Sequence, residues 1–216
     1  MTPTRPLHEV EIPPTGLKGD LAVPENANGI VIFAHGSGSS RHSPRNRYVA
    51  EEMQRGGLAT LLMDLLTQAE EEVDLRTRSL RFDVALLAGR LEEATRWAQQ
   101  SPATRELAIG YFGASTGAAA ALIAAAEQPE AVAAVVSRGG RPDLAGGALT
   151  RVRAATLLIV GGEDDYVIEL NRGALAELQC EKELSIIPGA THLFEEPGTL
   201  DQVAKLALGW FQRHLK

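Results

Sequence analysis

A serine between small residues is the first feature of this sequence that could do chemistry. Ser115 lies in Gly113-Ala-Ser-Thr-Gly117, after an apolar run and before an alanine-rich segment. A serine hydroxyl becomes a nucleophile when it is exposed, held rigidly and served by a neighbouring base. A sharp strand-to-helix turn exposes it, and such a turn needs small residues two positions before and after the serine. We therefore predict a catalytic Ser115; in the alternative reading the glycines serve only helix–sheet packing.

His192 is the predicted base. It lies in the turn Pro188-Gly-Ala-Thr-His-Leu-Phe194, between the last predicted strand and the last predicted helix. His42 could contact the substrate from the loop after the third strand. The remaining histidines are expected at the surface or bracing that loop: His8, His214 and His35.

Asp164 is the predicted acid that orients the imidazole and stabilises its cationic form. It follows the apolar run Thr156–Val160, which places it at the carboxyl edge of a parallel sheet. Asp165 and Asp143 remain alternatives. Serine, acid and histidine follow in this order along the chain, as expected of a doubly wound hydrolase sheet.

An oxyanion hole needs two donors aimed at the oxygen that becomes charged during acyl transfer. The main-chain N–H of Thr116, just after the nucleophile, is one candidate. The other is the main-chain N–H of Ser37, because Gly36 and Gly38 allow the backbone there to approach a ligand. A plain flexible loop is the alternative for this segment.

Arginines are concentrated in two loops expected beside the site. They follow the strands Gly29–Ala34 and Ala131–Val136, and they are Arg41, Arg45, Arg47, Arg138 and Arg141. A planar guanidinium pairs well with a carboxylate. We predict that Arg41, His42 and Arg138 bind an anionic group of the substrate; alternatively the arginines pair with the acidic segment around Glu70–Asp74.

Apolar strand-like runs and helix-like segments alternate along the chain. This alternation predicts an α/β fold, a doubly wound, mostly parallel sheet of about eight strands with helices on both faces. The polar segment Leu65–Leu80 is predicted to be a covering loop or short lid, and Gly139–Gly147 a loop. No repeat or linker is visible, so we expect one domain over residues 1–216.

Composition narrows the function classes. The net charge of -7 argues against a nucleic-acid-binding surface, and no basic amphipathic run or long apolar segment predicts membrane contact. The first 14 residues carry prolines and no apolar stretch, so no signal peptide is expected, and the lone Cys180 suits a reducing cytoplasm. No nucleotide-binding glycine motif is present. We expect no metal or cofactor, and a homodimer is possible.

The four motifs together resemble the α/β-hydrolase superfamily, and more narrowly its small dienelactone-hydrolase-like members. They are His35-Gly-Ser-Gly38, Gly113-Ala-Ser-Thr-Gly117, Gly161-Gly-Glu-Asp-Asp-Tyr-Val167 and Gly189-Ala-Thr-His-Leu-Phe194. The resemblance implies Ser115 as nucleophile, His192 as base, Asp164 as acid, and Ser37 and Thr116 as oxyanion donors. Dienelactone hydrolase itself uses a cysteine nucleophile, so Ser115 is a departure.

A serine at this position favours an esterase or related acyl hydrolase over a dienelactone hydrolase. The expected reaction is cleavage of a small ester or thioester through an acyl-enzyme. Two alternatives stay open: a non-catalytic binding or regulatory protein on the same fold, and an acyltransferase or perhydrolase that uses the same triad.

Overall fold

The computed structural model describes residues 7–216, in which eight strands form one sheet. The strands are His8–Ile12 (β1), Leu17–Ala22 (β2), Gly29–Ala34 (β3), Ala59–Met63 (β4), Ala108–Ala114 (β5), Val132–Arg138 (β6), Ala155–Gly161 (β7) and Lys182–Ile187 (β8). Their spatial order is β1-β2-β4-β3-β5-β6-β7-β8. Strands β3 to β8 run parallel, whereas β1 and β2 are antiparallel additions at one edge. The predicted α/β fold with about eight strands is confirmed.

The part of the chain that the structure describes contains six α-helices. They are Pro44–Arg55 (α1), Gln68–Thr77 (α2), Val84–Gln100 (α3), Thr116–Glu127 (α4), Asp165–Glu177 (α5) and Thr199–His214 (α6). Helices α1 and α6 pack on one face, and α3 and α4 pack on the other. The sheet therefore has a core on each side, which explains why its central strands are apolar throughout rather than alternating.

The alanine-rich sequence of α4 fits its position. Nearly all of its residues are buried between the sheet and α3. Alanine is the strongest helix former and its side chain allows a close approach, so a helix of this composition can lie tightly against the strand that precedes it. That contact fixes the start of α4 directly above the end of β5.

Two segments differ from their predicted loops. Within Leu65–Leu80 the chain forms α2, capped by Thr67, whose hydroxyl accepts from the Glu70 N–H while the Glu70 carboxylate accepts from the Thr67 N–H. The segment after β6 forms 3-10 helix over Pro142–Arg151. Helix α2 shows no clear apolar face in the sequence, so periodicity did not reveal it. In Pro142–Arg151 the proline and the glycines indicated a loop instead.

No helix within residues 7–216 is both long and apolar enough to cross a bilayer. The first six residues, on which part of the signal-peptide prediction rests, lie outside the described residues.

Phe211 packs in the core beneath α6, and its contribution to stability can be measured. Its side chain is fully buried, and its ring lies so close to Gly110 on β5 that a Cβ there would collide with it. Replacing Phe211 with Ala should lower the free energy of unfolding by about 3–5 kcal/mol, measured by urea denaturation, because the change leaves a cavity. The control Lys205→Ala, at an exposed position of the same helix, should change it by less than about 0.5 kcal/mol. A loss below about 1 kcal/mol for the Phe211 variant would contradict this packing.

Candidate active site

The carboxyl ends of the parallel strands bring the predicted residues to one edge of the sheet. Ser115 follows β5, Arg138 ends β6, Asp164 comes shortly after β7, and His192 lies in the turn after β8. This edge is where open α/β sheets bind their ligands. Residues far apart in the sequence thus meet through topology alone.

Ser115 occupies a strained turn between β5 and α4. Its backbone has φ 51° and ψ −121°, a conformation that side-chain-bearing residues rarely adopt. A Cβ on Gly113 would collide with Ala118, and one on Gly117 would collide with the carbonyl oxygens of Ala34 and His35. The requirement for small residues around the serine is therefore steric.

His192 and Asp164 form a direct pair. The Nδ1 atom of His192 lies 2.6 Å from Oδ2 of Asp164, with both side chains partly buried. Of the two alternative acids, Asp143 is bound to Arg141 through two hydrogen bonds of 2.9 and 2.8 Å, and Asp165 is exposed as the first residue of α5. The geometry therefore favours Asp164 as the partner of the imidazole.

Glu196, which the sequence did not suggest, holds the turn that carries His192. Its carboxylate accepts hydrogen bonds from the N–H and the hydroxyl of Thr191, at 3.1 and 2.6 Å. These hydrogen bonds lower the pKa of Glu196, the hydroxyl contact most strongly. The sequence signal was the acidic pair Glu195-Glu196, three and four residues after His192, and such pairs are common on surfaces.

His35 braces the loop that contains Ser37, as predicted. Its Nδ1 atom lies 2.9 Å from the carbonyl oxygen of Gly36, and its Nε2 accepts from the Leu65 N–H at 3.2 Å. Burial lowers the pKa of His35, so the neutral ring persists in the folded protein. The same loop lies against Ser115, because a Cβ on Gly36 would be 3.2 Å from Cβ of Ser115.

A cavity of about 240 Å³ opens around Ser115 and His192. Its lining comprises Gly36, Ser37, Ser39, Ser43, Arg45, Asn46, Ala114, Ser115, Arg138, His192 and Leu193. Ser37 therefore borders the space in front of the serine. Thr116 is the first residue of α4, where a helix leaves its N–H groups without intrahelical acceptors.

Arg138 is the least compensated charge of the cavity. Only 7% of the residue is exposed, its Nε has no hydrogen-bond partner, and no carboxylate of residues 7–216 pairs with it. Its guanidinium lies 5.9 Å from the centre of the Phe194 ring. Burial, and then the charge of Arg45, lower the pKa of Arg138 to about 10, so it remains cationic at neutral pH. Arg45 also lines the cavity, but it pairs with Glu195 at 3.0 Å.

The structure does not bring Arg41 and His42 to this cavity. Arg41 pairs with Asp64, with Asp20 at 3.4 Å and with Glu9 at 3.2 Å, beside the two antiparallel strands. His42 is exposed, and its Nδ1 lies 2.7 Å from a guanidinium nitrogen of Arg47. Neither belongs to the described residues that line the space around Ser115. Their expected role at the substrate gives way to one in holding the loop, because carboxylates of neighbouring strands occupy the Arg41 guanidinium.

Comparison with known proteins identifies this architecture as an α/β hydrolase. Residues 17–214 match the profile of the dienelactone hydrolase family. The structure also superposes on a dienelactone hydrolase from Anabaena variabilis with a TM-score of 0.96, at 62% identity and with all of both chains covered. The chain therefore belongs to the dienelactone hydrolase family.

Other relatives extend this picture. Est1E from Butyrivibrio proteoclasticus shares the fold, with a TM-score of 0.79 at 15% identity over 95% of this chain and 98% of that one. Two curated proteins from Mycobacterium tuberculosis strains, provisionally named phosphoribosyl transferases, are 58% identical over 97% of this chain. The chain spans about half the length of these curated relatives, 47% in each case.

His35 makes the free energy of unfolding depend on pH. The folded state keeps the ring neutral, whereas the unfolded chain takes up a proton near pH 6.5. The contribution of His35 is therefore complete above about pH 6.5 and falls below it, with a limiting slope of about 1.4 kcal/mol per pH unit. In His35→Gln, urea denaturation between pH 7 and pH 5 should show a flatter dependence than in the wild type. His8→Gln, at an exposed position of β1, should keep the wild-type slope, and equal slopes in all three proteins would contradict the prediction.

Proposed function

We propose that this protein is a serine hydrolase that cleaves a small ester or thioester through an acyl-enzyme on Ser115. One observation carries the proposal: the imidazole that is held by Asp164 and the hydroxyl on the strained turn border the same cavity. A strained nucleophile, a base and an acid that orients the base are the parts that acyl transfer requires. A binding or regulatory protein would have no need to maintain the strain at Ser115.

The proposed reaction has two steps. Since Nδ1 of His192 is occupied by Asp164, Nε2 takes the Ser115 proton while Oγ attacks the substrate carbonyl carbon. The carbonyl oxygen becomes negative and accepts hydrogen bonds from the main-chain N–H groups of Ser37 and Thr116. The bond to the leaving alcohol or thiol then breaks, and His192 returns the proton to it. Water, deprotonated by His192, then attacks the carbonyl carbon of the acyl-enzyme. The bond from that carbon to Ser115 Oγ breaks, Oγ takes the proton back from His192, and the carboxylic acid leaves.

An alternative acyl acceptor in the second step would make the same site an acyltransferase or a perhydrolase. The described residues carry no feature that selects such an acceptor over water, so hydrolysis is the function we propose. The phosphoribosyl transferase name belongs to relatives about twice as long. We do not propose that activity for this chain, because its residues 17–214 match the hydrolase family.

The substrate in this proposal carries an anionic group that binds Arg138. A buried guanidinium without a carboxylate partner is costly to maintain, and an anion entering the cavity would compensate it. Arg45 lies at the same cavity and adds positive charge. Its ion pair with Glu195 is exposed and contributes little free energy, so an anionic substrate can replace Glu195 at small cost. Because Arg138 binds this anion beside the nucleophile, the contact selects which substrates react as well as attracting them to the cavity.

Fluorophosphonate labelling tests the nucleophile. A fluorophosphonate should phosphonylate the wild-type protein once, and mass spectrometry should place the adduct on Ser115. Ser115→Ala should lose the label and at least about 10³-fold of its kcat/KM on 4-nitrophenyl acetate, because the acyl-enzyme cannot form. The control Ser185→Ala, on edge strand β8, should label and turn over as the wild type does. Labelling that persists in the Ser115 variant would overturn the proposal.

Arg138→Met tests the anionic group. The variant should lose roughly 10- to 100-fold in kcat/KM on an ester that carries a carboxylate, and little on its neutral counterpart, because a charge-assisted hydrogen bond is lost. Removing an unpaired buried charge should leave the free energy of unfolding unchanged or higher. The matched control is Arg141→Met, three residues further along the chain but bound to Asp143 and outside the cavity lining. An unchanged ratio between the two esters in Arg138→Met would contradict the assignment.

A further inference from the structure

A second cavity lies beneath helix α2, next to the one around Ser115. Its volume is about 130 Å³. Its lining comes from the loop His35–Ser39, from α2 and the 3-10 helix after it, and from leucines on either side of α2. The loop His35–Ser39 forms one wall, and α2 with the following 3-10 helix, Leu80–Phe82, forms the opposite one. The triad chemistry described above does not use this space.

The two cavities adjoin at the loop His35–Ser39, which contains the proposed oxyanion donor Ser37 and is called the oxyanion loop below. Gly36, Ser37 and Ser39 line both of them. Gly36 has no side chain to separate them, and it lies against Ser115. The second cavity is therefore within one loop of a substrate carbonyl at Ser115, and at Gly36 no side chain stands between them.

The second cavity suits an uncharged apolar group. Four leucines contribute to its wall: Leu65, Leu66, Leu75 and Leu87. Of the charged groups there, Asp74 and Arg81 neutralise each other through an ion pair of 2.6 Å and an additional main-chain hydrogen bond. The carboxylate of Glu71 leaves the lining acidic, which disfavours an anion.

Helix α2 covers this cavity without being packed into the core. Its only buried residue is Asp74, and it packs mainly against the short 3-10 helix that follows. Its attachments are ion pairs, Asp74 to Arg81 and Glu70 to Arg90 at 2.5 Å. Leu75 is 69% exposed although it borders the cavity, and Phe82, in the 3-10 helix that follows α2, is 56% exposed. Apolar side chains left in water at the rim of an apolar cavity are expected where an apolar ligand covers them.

We propose that the cavity under α2 binds the acyl chain of the substrate, as a short, uncharged, linear chain. A cavity of about 150 Å³ holds benzene, so the volume here suits about four to six carbons. A substrate that fills both cavities carries its anion on the alcohol or thiol side of the scissile bond, against Arg138. The substrate class is then short-chain acyl esters or thioesters of an anionic alcohol or thiol. This inference rests on the proposed serine hydrolase function.

A chain-length series measures the predicted fit. The substrates are 4-nitrophenyl esters from acetate to decanoate, and kcat/KM should rise about fourfold per added methylene as the chain enters the cavity. The rise should stop at about four to six carbons, where the cavity is full. With 3-carboxy-4-nitrophenyl esters the same profile should appear at higher kcat/KM, and Arg138→Met should remove that increment without changing the preferred chain length.

Two tryptophan variants on α2 form a matched pair. In Leu75→Trp the larger side chain fills the cavity, so the ratio of kcat/KM for hexanoate to that for acetate should fall at least tenfold. Val73→Trp lies on the same helix at a 40% exposed position outside the cavity lining, and its ratio should equal that of the wild type. Leu66→Ala should move the preferred chain length upward by about two or three carbons, because it enlarges the cavity.

The outcomes separate this inference from the function on which it rests. Ser115-dependent fluorophosphonate labelling together with a flat chain-length profile, or with equal shifts in both tryptophan variants, would overturn the acyl-chain assignment and leave the hydrolase proposal standing. Loss of Ser115-dependent labelling would overturn the hydrolase itself. A fall in the ratio confined to Leu75→Trp, with labelling intact in all variants, would support the assignment.

Discussion

The site depends on the close approach of the turn between β5 and α4 to the end of β3. At Gly117 the backbone lies so near the carbonyl oxygens of Ala34 and His35 that no side chain could fit between them. This contact fixes the start of α4 against the loop His35–Ser39. It also forces Ser115 into its positive φ. Strain of this kind costs about 1–3 kcal/mol, and it persists because strands buried on both faces leave the turn no room to relax. The orientation of the hydroxyl is thus a consequence of packing behind it.

The arginines near this turn differ in whether a carboxylate pairs with them, and the net charge of the protein does not reveal this difference. The protein carries a formal charge of -7, and the carboxylates near the oxyanion loop neutralise Arg41 through Asp20 and Asp64. Arg141 is likewise bound by Asp143. Arg138 alone among these arginines ends in the cavity without a carboxylate, supported by the ring of Phe194. An arginine without a carboxylate partner therefore lies at the cavity in front of Ser115, where a bound anion would lie beside the serine rather than merely be attracted to the surface.

The sequence was sufficient to predict features that depend on strand ends. Ser115, Asp164 and His192 each follow a recognisable apolar strand, and parallel strands deliver such residues to one edge, so their meeting could be predicted. The partners of Arg41 could not, because they depend on β2 pairing with β4, a tertiary arrangement that local patterns do not encode. Helix α2 was missed for another reason. Its stability comes from a capping box and ion pairs rather than from an apolar face, so hydrophobic periodicity carried no signal.

The two cavities differ in charge, and this difference would orient a substrate as well as bind it. An anionic leaving group placed under α2 would face Glu71 instead of Arg138, so the reversed orientation is disfavoured by repulsion and by loss of the guanidinium contact. An apolar chain placed beside Arg138 would leave the buried guanidinium uncompensated and would strip water from it. Each group therefore costs free energy in the wrong cavity, and the preference for one orientation of the substrate over the reverse arises from both penalties together. Because the loop His35–Ser39 lies between the two environments at Gly36, the proposed orientation would place the carbonyl carbon of the substrate beside Ser115, the proposed nucleophile.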